Sequence, residues 1–297
     1  MMNEKLCQEK TDEIFRQQEI GREELFNRFK GMFWGLVVGD CLGSPVQFTR
    51  KDEHQFVTEM IACRHFQTPA GYWTDDSSLA FCVADSLTRL QGYSLSDIAN
   101  NFIRWYDDAF WSSMYYAFDI GRATSSAIYG MKRGDLKNGN EDSQGNGSIM
   151  RLAPSYIWNY GNADRKIIYE ISDLTHDSSK VRETVDLMVD ICDEHLRGTR
   201  TARRSVYRTR EEVDNSGWAV STLQAALWAF ETTETFEDGL IAAVNLGGDA
   251  DSIGAVFGQI AGVFYGYDAI PERWLAAIYN REKINLLIET LVRMKTA

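Results

Sequence analysis

The chain has only four prolines in 297 residues. That scarcity leaves long helices uninterrupted, since proline is the residue that breaks them. It has no run of alternating apolar and polar residues of the kind that builds a half-buried strand. Its five cysteines, Cys7, Cys41, Cys63, Cys82 and Cys192, are odd in number and scattered, with no C-x-x-C pair. Such usage argues against a secreted disulfide framework and fits reduced thiols in a cytoplasm. There are four histidines and no H-E-x-x-H, which argues against a zinc-hydrolase site. An apolar leader is missing: Met1 to Lys30 is charged throughout, so no signal peptide is expected. The longest apolar stretches, 32–38 and 253–267, are too short or too rich in glycine for a membrane span of about 20 residues. Positive charge is in deficit too. A net charge of -12 argues against DNA or a phospholipid surface as partner, but leaves room for a small phosphorylated ligand at a local site.

What is present reads as helix. With 44% hydrophobic and 25% charged residues the composition is that of an ordinary globular chain. Leu79, Val83, Leu87 and Leu90 recur every three or four residues. Ile98, Phe102 and Trp105 do the same, as do Val220, Leu223, Leu227 and Phe230. Each set predicts one buried helix face. Ser96-Asp97 and Ser216 are candidate N-caps, and Pro271 suits a first helical turn. Arg133–Ser148 and Gly198–Glu212 are polar and read as loops. No linker or internal repeat divides the chain. The expected fold is a compact, single-domain all-α helical bundle over residues 29–297, preceded by a helical extension over residues 1–28.

Two glycine series stand out. Gly31, Gly35, Gly39 and Gly43 fall four apart, and so do Gly254, Gly258, Gly262 and Gly266. On a helix each series makes a groove without side chains, at a cost of up to about 1 kcal/mol per interior Gly relative to Ala. A second backbone packed into the groove offsets that cost. The two series therefore predict two central helices in close contact. The first contains Asp40, and the second directly follows an acidic cluster.

The acidic clusters carry the chemistry. One is Trp73-Thr74-Asp75-Asp76-Ser77-Ser78, and the other is Gly247-Gly248-Asp249-Ala250-Asp251-Ser252. Each joins carboxylates to hydroxyls just before an apolar run. Such residues can serve as N-caps. They are also the oxygen ligands that hard divalent cations prefer. If the clusters meet, four carboxylates share one site and call for a cation. A third signature is Gly145-Asn146-Gly147-Ser148-Ile149-Met150-Arg151, a turn whose backbone amides, aimed at a helix N-terminus, suit an anion. Phe118-Asp119-Ile120-Gly121 has the same form, and Thr175-His176 precedes another helix.

Taken together and in this order, the segments resemble the ADP-ribosylglycohydrolase family. Gly39-Asp40-Cys41-Leu42-Gly43-Ser44-Pro45-Val46-Gln47-Phe48 and Gly71-Tyr72-Trp73-Thr74-Asp75-Asp76 come first. The Phe118 and Gly145 segments, Thr175-His176, and Gly247–Ser252 running into Gly254-Ala255 complete the set. The resemblance covers roughly Phe29 to Trp274. It implies an all-helical fold around two adjacent Mg or Mn ions, and hydrolysis of the bond between ADP-ribose and a modified protein side chain. By motif position, Thr74, Asp75, Asp76, Asp249, Asp251 and Ser252 would be metal ligands. Phe118, Gly121, Asn146, Gly147, Ser148, Met150 and His176 would surround the substrate, with the two turns cradling the diphosphate. Asp75, Asp76, Asp119 and Gln47 would serve catalysis. Asp119 suits a leaving guanidinium, because a carboxylate matches that fork. Arginine is therefore the expected acceptor and serine the second.

One residue departs from the family pattern. Gln47 stands where many members carry Glu, and Gln cannot take a proton at neutral pH. Either the base lies elsewhere or the chain is an ADP-ribose-binding or toxin-binding protein with weakened catalysis. A third class, the all-helical isoprenoid-diphosphate synthases, uses D-D-x-x-D, and Leu79 occupies the place of its third Asp. The extension expected over residues 1–28 mixes charges with Ile14, Phe15, Ile20, Leu25 and Phe26, and Gly21 interrupts it. It either packs on the protein's own surface or serves as an arm that meets a cognate ADP-ribosyltransferase toxin. In the second case the chain would act as an immunity protein.

Overall fold

The computed structural model describes residues 20–200 and 203–296. Among them the chain forms α1 (Arg22–Gly43), α2 (Asp75–Leu90), α3 (Leu95–Asp108), α4 (Arg122–Met131), α5 (Ala153–Asn159) and α6 (Lys166–Asp173). It continues with α7 (Ser179–Leu196), α8 (Ala219–Thr232), α9 (Phe236–Val244), α10 (Ala250–Tyr265), α11 (Glu272–Ala277) and α12 (Arg281–Thr296). Single 3-10 turns occupy Ser44–Val46, Ile149–Arg151 and Tyr267–Ala269. No strand forms among the described residues; two isolated bridges, Cys63 to Thr68 and Gly145 to Trp218, only pin loops. The fold is all-α, as the sequence predicts.

The two glycine series meet. A Cβ added at Gly35 would stand 2.0 Å from the Gly258 carbonyl oxygen, and one at Gly39 would stand 2.0 Å from that of Gly254. Gly31 faces Gly262 at 2.5 Å and Gly43 faces Ala250 at 2.3 Å. Rising numbers on α1 meet falling numbers on α10, so the helices run antiparallel with backbone against backbone. Gly266 has a different task. It ends α10 with φ 80°, and the Asn27 side chain closes the turn by accepting from the Tyr267 amide at 3.0 Å.

The remaining helices cover this pair with the apolar faces the periodicity predicts. Leu79, Val83, Leu87, Ile98, Phe102, Trp105, Leu223, Leu227 and Phe230 are all buried. Two stripes are shorter than expected: Leu90 is 43% exposed and Val220 is 42% exposed. Two caps also move. The α3 cap is Ser94, whose Oγ accepts from the Asp97 amide at 3.3 Å, and not Ser96. Ser216 caps nothing, because α8 starts at Ala219 and Asp214 braces the Ser216 amide in the turn before it. The break expected near Gly21 is present: its extended backbone precedes α1. From Arg22, α1 runs through residues 28 and 29 without interruption, so the division placed there falls inside a helix. Ile14, Phe15 and the short helix expected around them lie outside the described residues. No described helix is long and apolar enough to cross a membrane.

Candidate active site

Asp40 organises the first acidic cluster. Its carboxylate, reaching over from α1, accepts from the Thr74 amide at 3.0 Å, the Ser77 amide at 3.0 Å and Ser77 Oγ at 2.6 Å. Capping of α2 is thus done from another helix, and the Thr74 side chain makes no cap bond of its own. Asp75 and Asp76 are left free to face a cavity. The second cluster is delivered by Gly247 and Gly248, with φ of 65° and 64°. Only glycine adopts this turn without strain, and space forbids more: a Cβ on Gly248 would stand 2.2 Å from the Asn215 oxygen. Asp249 opens α10 and, like Thr74, makes no side-chain cap bond. The capping alternative for the two clusters therefore fails.

The clusters meet in one cavity of about 740 Å³, lined by Asp75, Asp76, Asp119, Asp249, Asp251 and Ser252, with the Gly145–Gly147 turn also lining it. Ser252 Oγ donates to Asp76 Oδ1 at 3.3 Å, and Thr74 Oγ1 donates to Asp251 Oδ2 at 3.5 Å. Asn146 Nδ2 donates to Asp249, and Gln47 Nε2 donates to Asp119 Oδ2 at 2.9 Å. Asp119 has φ 60°, a left-handed conformation that residues other than glycine seldom adopt.

Burial dominates the electrostatics here. It pushes the Asp75, Asp76 and Asp251 carboxyls well above the usual range, and their neighbouring carboxylates push them further. Burial also raises Asp249 to about 6 against the opposing bond from Asn146. Asp40 rises to about 6 by burial against its bonds from Ser77 and Thr74. Asp119 is raised by burial and restrained by Gln47. No lysine or arginine pairs with the five cavity carboxylates among the described residues. Arg151, buried nearby, turns instead to Thr175 Oγ1 at 2.7 Å and to the Phe102 face. Asp76 Oδ2, Asp251 Oδ1 and Gln47 Oε1 are buried without a hydrogen-bond partner. An unsatisfied buried acceptor costs about 1–3 kcal/mol. Among the described residues no three acidic, His or Cys side chains form a ready-made cation cage. The fit to a cation rests on the unpartnered oxygens and the all-oxygen donor set.

The rest of the cavity suits a polar ligand. His176 lies under the glycine turn: a Cβ on Gly147 would stand 2.6 Å from its Cε1. Its Nδ1 bonds Thr175 Oγ1 at 2.7 Å. Burial, followed by the Arg151 charge, lowers it to about 3, so it is a neutral floor and not a general acid near pH 7. Gly121, Asn146, Gly147 and Met150 line the cavity. Phe118 and Ser148 are not among the lining residues. Phe118 packs on Phe66 at 5.1 Å, and Ser148 Oγ bonds Ser172 Oγ at 2.6 Å. Three residues escaped the reading of the sequence. Asp40 stood out only as an acid inside a glycine series. Arg122, the single Lys or Arg lining the cavity among the described residues, directly follows Gly121. Trp218, 53% exposed at the rim, left no signal in its polar loop.

An all-α scaffold thus sets five carboxylates against glycine turns around one cavity. A family model described as ADP-ribosylglycohydrolase matches residues 21–191 and 177–297. The chain is 32% identical over 293 residues to ADP-ribosylarginine hydrolase Tri1 of Pseudomonas putida (strain GB-1), covering 91% of this chain and 79% of that one. It is 28% identical to the ADP-ribosyl-[dinitrogen reductase] glycohydrolase of Rhodospirillum rubrum, covering 90% of this chain and 93% of that one. A solved structure described as an ADP-ribosylglycohydrolase-related protein complex aligns with a TM-score of 0.80 at 36% identity, covering 92% of this chain and 99% of that chain. The chain belongs to the ADP-ribosylglycohydrolase family. It is a hydrolase of the ADP-ribose glycosidic bond.

Proposed function

We propose that the chain removes ADP-ribose from arginine side chains of modified proteins, with two divalent cations, Mg or Mn, at the carboxylate cluster. The observation that carries this reading is the meeting of the two Asp clusters, with Asp76 Oδ2 and Asp251 Oδ1 buried and unpartnered. Thr74, Asp75, Asp76, Asp249, Asp251 and Ser252 would hold the cations, an oxygen set that suits hard ions. When bound, the cations supply orientation of the ribose hydroxyls and activation of water.

The chain's own groups do the rest. Cleavage adds water across the bond between ribose C1 and the acceptor nitrogen: oxygen goes to C1, and a proton goes to the departing nitrogen. Asp75 and Asp76 face the positive charge that builds on the sugar. Asp75, a carboxylate lining the cavity, is the candidate to take the proton from water. Asp119 pairs with the leaving guanidinium, held in place by Gln47 Nε2. The turns at Gly121 and Gly145–Gly147 offer amides to the diphosphate over the neutral His176 ring. Arginine is the first acceptor because Asp119 suits its fork, and because the Pseudomonas putida and Serratia proteamaculans relatives, at 32% and 31% identity, are named as hydrolases of ADP-ribosylarginine.

Incubation with arginine- and serine-ADP-ribosylated proteins, in Mg or Mn and in chelator, tests the proposal. Release from arginine that stops in chelator is expected. Release from serine alone would overturn the acceptor, and full activity in chelator would overturn the cations. Gln47 supports a second reading, a binding protein with weakened turnover, because it stands where many family members carry Glu and cannot take a proton at neutral pH. A rate gain of several orders of magnitude in Gln47→Glu would favour that reading. For the N-terminal extension we propose a cognate ADP-ribosylating toxin as partner, which would give the chain an immunity role. Deleting residues 1–22 should leave hydrolysis intact and lose binding to the transferase. Retained binding would remove the arm from consideration.

A further inference from the structure

We propose that a strip of aromatic rings beside the cavity mouth docks the polypeptide that carries the modified side chain. This rests on the reading that the substrate is a modified protein. Tyr115 is 87% exposed, Phe48 60% and Tyr116 41%. Exposed rings linked into one series, rather than scattered singly, point to a contact site. The rings form one connected series. Tyr115 meets Tyr116 at 4.9 Å, Tyr116 meets the buried Phe118 at 6.0 Å, Phe118 meets Phe66 at 5.1 Å, and Phe66 meets Phe48 at 6.3 Å. His65 fills the corner, 5.1 Å from Phe48 and 4.6 Å from Phe66.

The strip begins at the reaction centre. Phe48 lines the cavity, and Phe118 immediately precedes Asp119, the carboxylate set to hold the leaving group. It therefore extends the acceptor end of the site. The nucleotide end is occupied by Gly145–Gly147, His176 and Trp218. The backbone holds Phe48 outward. Its φ is 59°, and its amide donates to the Gly248 oxygen at 2.6 Å. Such a conformation is costly for a bulky residue and persists only where its surroundings impose it.

The chemistry selects the occupant. The chain carries a net charge of -12, and aromatic faces attract guanidinium and ammonium groups. A polypeptide segment carrying cationic side chains around the modified residue fits both. Tyr and Phe rings also provide large contact area with few torsions to freeze, which suits recognition of varied sequences.

The test compares two substrates of the same linkage: an ADP-ribosylated protein, and the free ADP-ribosyl amino acid. The double variant Tyr115→Ala, Tyr116→Ala in the full chain should raise KM for the protein about tenfold and leave kcat unchanged. Both constants for the free amino acid should stay as in wild type. Tyr115→Phe should behave as wild type. Tyr115→Lys, at a position 87% exposed, should raise KM for the protein further by repelling the cationic segment. Unchanged KM for the protein in both the double variant and Tyr115→Lys, or equal losses on both substrates, would overturn the proposal. So would concentration-dependent self-association of wild type that the double variant abolishes, since the strip would then join copies of this chain. If wild type acts on serine linkages and not on arginine, the acceptor reading falls. The same comparison on the serine pair, with the same criteria, then decides the docking strip.

Discussion

Gly35→Ala should destabilise the protein although alanine is the better helix former. The added methyl would sit 2.0 Å from the Gly258 carbonyl oxygen, and both atoms of that contact belong to helical segments with no side chain to rotate away. A carbon approaches a carbonyl oxygen to roughly 3.3 Å, so α1 and α10 must part by roughly an ångström. A radial gap of that size forfeits a quarter to a half of each dispersion contact along the seam. Overpacking of this kind costs about 1–3 kcal/mol, against a gain of up to about 1 kcal/mol from helix propensity. The net loss should lower the melting temperature by several degrees, read by circular dichroism. Gly92→Ala is the control. Its nearest neighbour would be the Leu90 oxygen at 3.6 Å, so its melting temperature should match or slightly exceed wild type. Activity separates the rungs. Gly39→Ala acts next to Asp40 and should cost more turnover than Gly31→Ala at equal loss of stability. A Gly35→Ala protein that melts at or above wild type would refute the reasoning.

Removing a cavity carboxylate should reveal a conflict between stability and function. Asp76→Ala and Asp251→Ala should each abolish turnover and leave the helical spectrum intact. In chelator they should melt above wild type, because a buried, repelled carboxylate is gone; a lower melting temperature for both would contradict that account. Asp249, raised from 3.8 to about 6, makes the folded state bind more protons than the unfolded between those values. Its contribution is fully present below pH 3.8 and is lost as pH rises through 6, so the stability deficit of wild type relative to Asp249→Asn in chelator should grow across that window. A pH-independent difference would show that Asp249 titrates normally. Gln47→Ala should slow hydrolysis about tenfold to a hundredfold, the effect of losing a positioning bond to Asp119 and less than the loss usual for a general base. A stopped reaction in single-turnover kinetics would give Gln47 a larger part.

Much of the core was legible because helix geometry is periodic. A glycine at every fourth position describes a groove whatever fills it, and the partner groove stood in the same sequence. The acidic clusters were legible because few residue types bind hard cations. Asp40 was not, since its partners Thr74 and Ser77 lie 34 and 37 residues away and only folding brings them together. Periodicity also names a face without saying where the neighbouring helix ends, which is why Leu90 and Val220 emerge into solvent. Ser94 and Ser96 look alike in sequence, and only the backbone path decides which accepts from Asp97. Trp218 depends on the loop that carries it to the rim, and loops follow no period.

The position of Asp40 on α1 bears on which length changes the chain can survive. One residue inserted between Gly35 and Asp40 would turn everything beyond it by about 100°. Gly31 and Gly35 would keep their places against α10, while Asp40 would swing away from the Thr74 and Ser77 amides and leave the start of α2 uncapped. A single-residue deletion would do the same in the other direction. Residues 161–164, between α5 and α6, are exposed and line no part of the cavity, so they carry no such registration. Insertions and deletions that separate working members of this lineage should therefore collect in that loop and be absent from the helical turn between Gly35 and Asp40.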